Sequence, residues 1–305
     1  MRKAFIDTLF ELARKDKNIF LLNADLGFSV LEKFNQAYPK RAINMGIAEA
    51  NSIGTAAGLA LSGKTVFVYS IIPFVTFRVL EQIRNDVAMQ EANVKIVGIG
   101  SGWSYGSLGA THHAIEDIAV LRSIPGMRIV CPGDPIEAAA ATKAITKTKG
   151  PFYFRLNKAG DPIVHKTIPK FRIGEAIQVR PGKDLTIITT GNALPGGAIV
   201  SDILSEDGLS VRLISMHTIK PLDEATVKKA AKETKAIFTL EDHNILGGLG
   251  SAVAEILAEN RFGGVFHRFG AKDAFTHIAG PHDFLREHHG LSPKNIARVI
   301  RRKIA

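Results

Sequence analysis

Short apolar runs bounded by turn residues alternate with stretches of helical spacing along most of this chain. Residues 18–22, 64–69, 94–99 and 127–130 each read as a strand covered on both faces. Helical patterns lie between them, near 74–91 and over the Ala-rich 137–145, and residues 1–7 enter an amphipathic helix. Gly150-Pro151 interrupts the chain before a further strand at 152–156. A more polar stretch, 166–183, reads as a linker. Beyond it the alternation resumes, with strands at 184–189, 210–214 and 236–240. The pattern predicts an α/β protein of two doubly wound domains, 1–165 and 184–305.

Length agrees with two units, because single cores seldom grow past roughly 250–300 residues and this chain has 305. No apolar run approaches the roughly 20 residues that span a bilayer, and no signal-peptide core follows Arg2-Lys3. A cytoplasmic protein with no membrane partner is expected. Cys131 is the only cysteine, and its place after an apolar strand marks it as a buried free thiol. The formal charge of +10 is spread along the chain, apart from Arg301-Arg302-Lys303. With one Trp, four Tyr and no recognition motif, the chain shows no nucleic-acid signature. Small phosphorylated ligands account better for the positive excess.

Three places carry candidate chemistry. Glu49 is the lone acid in a small, apolar helical run from Asn44 to Gly63. A carboxyl packed there finds a partner or stays protonated, and a neutral acid is a catalytic tool. Alternatively it only complements the helix dipole. The Gly-rich segment 98–109 leaves the end of a strand, where open α/β sheets place ligands, and leads to Thr111-His112-His113. His112 is a candidate proton carrier or a helix cap. Adjacent imidazoles diverge and no third ligand follows at suitable spacing, so a metal site is not expected. Gly247-Gly248-Leu249-Gly250 opens a helix, where it could cradle a phosphate or permit close helix packing. Packing is the favoured reading.

Gly46-Ile47-Ala48-Glu49, Gly109-Ala110-Thr111-His112 with Ile115-Glu116, and Glu241-Asp242-His243 with Gly247–Gly250 together resemble the thiamine-diphosphate-dependent transketolase family. The resemblance covers nearly the whole chain and matches the C-terminal half, a pyrimidine-binding domain followed by the C-terminal domain. It implies that Glu49 hydrogen-bonds a pyrimidine nitrogen of thiamine diphosphate, favouring the imino form that takes the thiazolium proton. The cofactor carries the carbanion chemistry of two-carbon ketol transfer from a ketose phosphate to an aldose. His112 then matches the histidine that handles substrate hydroxyl protons, and Asp25 an acid near the cofactor. Phe74 is the first choice for the aromatic against the pyrimidine ring, with Phe77 a close competitor. Ser29, Arg2 and Arg155 match ligands of the substrate phosphate.

Two positions depart from the family pattern. Leu108 stands where an Asp reads a substrate hydroxyl, and Gly100 where a histidine enters the phosphate pocket. Both imply an altered sugar preference. The Gly-Asp-Gly segment that holds the diphosphate through Mg2+ is missing, so no metal ligand is assigned here. The resemblance therefore implies a separate N-terminal, diphosphate-binding subunit that mainly holds the Mg2+, a heterotetramer, and self-association of this chain, inactive when alone. The beta subunit of a 2-oxoacid dehydrogenase decarboxylase, a 1-deoxyxylulose-5-phosphate synthase-like enzyme and a nucleotide-binding regulatory subunit stay open as alternatives.

Overall fold

A computed structural model describes residues 1–158 and 160–305. The strands, in chain order, are β1 (Ile19–Asn23), β2 (Ala42–Asn44), β3 (Thr65–Ile71), β4 (Val94–Ile99), β5 (Arg128–Val130) and β6 (Phe152–Leu156). They continue with β7 (Ile177–Arg180), β8 (Leu185–Thr189), β9 (Val211–Ser215), β10 (Thr218–Lys220), β11 (Ala236–Asn244) and β12 (Val265–Ala271). A seven-stranded sheet runs β10-β5-β6-β4-β3-β1-β2, and a five-stranded sheet runs β12-β11-β8-β9-β7. Every pairing is parallel except β10 with β5 and β7 with β9.

Strands β4, β6, β8 and β9 are buried along their whole length. That explains their mainly apolar sequences: helices cover both sheet faces, so no side of the pleat meets water. The helix Arg2–Lys15 turns Phe5, Ile6, Leu9 and Ala13 inward and packs against the helix Pro135–Lys147. Each of the larger side chains contributes about 1.5–3 kcal/mol through burial. Among the described residues, no helix is long and apolar enough to cross a membrane.

The second unit begins earlier than expected and reaches across to the first sheet. The stretch 166–183, expected to be linker, contains β7, an edge strand of the second sheet. Strand β10 crosses back and adds an antiparallel edge to the first. One apolar cluster continues from Ile53 and Val68 through Ile129 to Ile188, Val227 and Val253.

The helix expected over 74–91 is broken. Helix Ile72–Thr76 gives way to a 3-10 turn, Phe77–Val79, then one short helical turn and the π-helical turn Ile83–Ala88. The Thr76 hydroxyl donates to the Ile72 carbonyl at 2.6 Å, a back-bond that bends helices. Mixed helical turns of this kind gather at functional sites.

Candidate active site

The carboxyl ends of four parallel strands converge on one edge of the first sheet. The loop after β1 carries Asp25 and Ser29, and the chain after β2 leads to Glu49. Strand β3 runs into the helix with Phe74, and β4 into the Gly-rich segment that ends at His112. Open parallel sheets bind ligands at such an edge.

Glu49 begins the helix Glu49–Leu61 and is only 3% exposed. Its carboxylate does not cap that helix; it accepts from Arg78 Nη1 at 2.7 Å. The Arg78 guanidinium lies 4.4 Å from the Phe74 ring centroid. Phe74 in turn meets the His112 ring edge-on at 5.2 Å. Glu49, Arg78, Phe74 and His112 thus form one continuous contact chain. Phe77 takes no part in the ring contacts seen among the described residues.

His112 ends a 3-10 turn, with Nδ1 3.0 Å from the Thr111 hydroxyl. Partial burial lowers its pKa below the ordinary imidazole value. His113 diverges from it and is buried. Among the described residues, no group of three or more His, Cys, Asp or Glu side chains could hold a metal ion.

Tyr105 accounts for the glycine at position 100. Gly100 has φ +96°, and a Cβ there would sit 2.3 Å from the Tyr105 ring carbons. The Tyr105 ring lies 6.3 Å from His112, with Lys158 Nζ 4.7 Å from its centroid. The charge of Arg2 acts on both Tyr69 and Tyr105. Arg2 pairs with the buried Tyr69 hydroxyl through its side chain. Leu108 is 52% exposed on the turn that precedes His112.

Asp25 and Ser29 occupy the left-handed backbone region, at φ 51° and 62°. Neither residue type relieves that strain as glycine does, and strained positions cluster at ligand sites. Asp25 accepts from Asn44 Nδ2 at 2.9 Å, while its N–H donates to Asn44 Oδ1 at 3.0 Å. This exchange ties the end of β1 to the end of β2. Ser29 donates its backbone N–H to Glu32 at 2.5 Å.

Arg155, expected to bind a substrate phosphate, is buried against Asp117. Its side chain is 1% exposed and its Nε donates to Asp117 at 2.7 Å. Nη2 donates to the carbonyls of Ala114 at 2.7 Å and Asp242 at 3.0 Å. Burial alone would raise the Asp117 pKa, but Arg155 overcomes it and holds the carboxyl below its usual range. The pair is a buried brace between the two domains. Burial and these hydrogen bonds give Arg155 a structural task.

The Gly247–Gly250 segment is likewise settled. Glu241 accepts from the backbone N–H groups of Leu249 at 2.7 Å and Gly250 at 2.8 Å. The chain's own carboxylate occupies the helix N-terminus, where a phosphate would need those donors.

Arg78 and Tyr105 were not foreseen from the sequence. The i, i+4 spacing of Phe74 and Arg78 was the one available signal. Tyr105 left none, because its role depends on a glycine five positions earlier.

Comparison with known proteins places this architecture. Residues 1–160 match the family described as "Transketolase, pyrimidine binding domain", and residues 174–296 match "Transketolase, C-terminal domain". The 6-deoxy-6-sulfo-D-fructose transketolase subunit SqwH of a Clostridium species is 38% identical, covering 98% of this chain and 92% of that protein. An apulose-4-phosphate transketolase subunit of Phocaeicola vulgatus is 43% identical over 85% of this chain and 84% of its own length. A solved structure described as "Split gene transketolase, inactive beta4 tetramer" superposes with a TM-score of 0.91 at 34% identity. It aligns with 99% of this chain, over 97% of its own length. The chain belongs to the transketolase family, of which it contains the pyrimidine-binding and C-terminal domains.

Proposed function

We propose that this chain is one subunit of a two-component transketolase that moves a two-carbon ketol unit from a ketose phosphate to an aldose. The observation that carries the reading is Glu49: a buried carboxylate at the strand edge, linked through Arg78 to an aromatic face and an imidazole. These residues fit an aminopyrimidine, which needs a carboxylate partner and a flat apolar surface. Thiamine diphosphate, when bound, supplies the stabilised carbanion chemistry of ketol transfer.

The chain's own residues have distinct tasks in this reading. Glu49 holds a proton at the pyrimidine nitrogen, and Phe74 orients the ring. Asp25 borders the cofactor from the loop after β1. His112, largely neutral at pH 7 because its pKa is lowered, takes and returns hydroxyl protons of the sugar. Arg2 and Ser29 bind its anionic end, the charge of Arg2 acting on Tyr69 and Tyr105 beside it.

The diphosphate and Mg2+ belong to a partner polypeptide, in a cytoplasmic heterotetramer. Support comes from relatives named as single subunits of a transketolase and from the solved relative described as an inactive tetramer. The sugar departs from the usual pentose phosphates. Leu108 offers no hydroxyl acceptor, and Tyr105 fills the volume above Gly100. Relatives named for sulfofructose and apulose phosphate support that direction.

The test is to purify the complex with the partner polypeptide and screen ketose phosphates for cofactor-dependent ketol transfer. Glu49→Gln should lose about 10²–10⁴-fold in kcat while unfolding near the wild-type temperature. Near-wild-type turnover of that variant with saturating cofactor would end the proposal.

A further inference from the structure

We infer that Arg78 is an internal occupant of the aminopyrimidine position, contesting Glu49 with the cofactor and thereby setting how tightly the site binds it. The inference rests on the reading of Glu49 above and concerns a residue that reading does not use.

A guanidinium is a planar cation that carries N–H donors in its plane and stacks on aromatic faces. An aminopyrimidine ring offers the same pair of properties. Arg78 makes both matching contacts at once: Nη1 donates to Glu49 at 2.7 Å, and the group stacks 4.4 Å from the centre of Phe74. Among the described residues Arg78 makes the one hydrogen bond seen at the Glu49 carboxylate, whose side chain is 2% exposed. Phe74 is already met edge-on by His112. A ring that takes both contacts must therefore displace Arg78.

Exposure shows which member yields. The Arg78 side chain is 47% exposed, and its long stem lets the charged head withdraw into water at small cost. Glu49 is fixed in the first turn of a packed helix and cannot follow. The local backbone suits such a swing, because Arg78 sits on a 3-10 turn between two helical turns rather than inside a regular helix. While paired, Arg78 also spares the protein an uncompensated buried carboxylate, whose isolation would be costly.

A residue that helps hold the cofactor and one that competes with it predict opposite signs. Arg78→Met removes the competitor and leaves Glu49 unpaired until a ring arrives. The assembled complex with the diphosphate-binding polypeptide is titrated calorimetrically with thiamine diphosphate and Mg2+. We expect the dissociation constant to fall about tenfold, the loss of one cation–π contact and one half-exposed ion pair. The melting temperature without cofactor should fall as well. Arg78→Lys keeps the charge but not the plane and should fall between. Arg78→Gln, which keeps an amide donor for Glu49, guards against misfolding of the Met variant and should also tighten binding.

Equal or weaker binding by these variants beside a binding wild type overturns the inference and leaves the functional reading intact. Absence of binding in wild type and variants alike overturns that reading, and this inference with it.

Discussion

A Cβ on Gly248 would lie 2.1 Å from Oε2 of Glu241, inside any permissible contact. The glycine is there so that the carboxylate can reach the N–H groups of Leu249 and Gly250. Gly248→Ala should therefore cost about 1–3 kcal/mol through overpacking. Urea unfolding of the variant checks this, and an unchanged midpoint would show that the helix terminus can shift.

The same carboxylate ties stability to pH. Burial pushes the Glu241 pKa up to about 7, against the pull of the Gly250 and Leu249 N–H groups and of Arg155 and Arg268. A raised carboxyl binds its proton more tightly in the folded than in the unfolded state. Its contribution is fully present below the unfolded value of about 4.5 and is lost as pH rises through about 7. Glu241→Gln does not titrate. Its stability relative to wild type should rise as pH goes from 4.5 to about 7. Parallel stability curves for the two proteins would contradict this assignment.

Arg155 and Asp117 should behave as one unit. Removing either leaves a buried charge without its counter-charge, at about 3–5 kcal/mol. Arg155→Met should lower the unfolding midpoint accordingly and reduce the yield of folded protein. In the fraction that folds, KM for a phosphorylated ketose should stay close to wild type. A large rise in KM with normal stability would return Arg155 to the substrate site.

The strands rich in apolar residues were legible in the sequence, because β1, β3, β4, β6, β8, β9 and β11 are largely buried and carry the pattern that burial imposes. Strands β2, β7 and β12 are partly exposed, and their mixed residues give no such signal. The break at Thr76 was hidden because a side-chain back-bond leaves the apolar periodicity intact. In the site, Glu49 was legible as an acid in an apolar run. Its pairing with Arg78 was not, since it depends on two helical segments 29 residues apart meeting at one point. The contacts of Arg155 were hidden for a related reason: an arginine on a strand has the same local sequence whether it faces a substrate or a buried Asp117.

The lowered pKa of His112 has a kinetic signature. Its ring stays neutral to a pH below the ordinary value of 6.5, because partial burial disfavours the charged form. If the neutral imidazole accepts the substrate proton, the acid limb of kcat/KM lies below that value. His112→Gln should abolish the limb and reduce kcat/KM by about 10²–10⁴-fold. A limb that persists unchanged in the variant would assign the proton to another group.

Sugar preference is the property most open to redesign. Leu108 is half exposed on the turn before His112, where an acceptor would face a substrate hydroxyl in the family pattern. Leu108→Asp supplies one, and a hydrogen bond to a charged group contributes about 1.5–3 kcal/mol. Activity on xylulose 5-phosphate with ribose 5-phosphate should rise roughly tenfold to a hundredfold by the same measure. Position 100 is coupled differently. Gly100→His alone meets the Tyr105 ring at 2.3 Å and has φ +96°, so it should destabilise the loop. Adding Tyr105→Gly clears the volume and should recover part of that loss, a coupling measurable in a double-mutant cycle. Two independent, additive effects would mean that Tyr105 does not take the place of the missing histidine. Wild-type turnover of the pentose phosphates already as fast as that of the Leu108→Asp variant would mean that Leu108 does not set the preference.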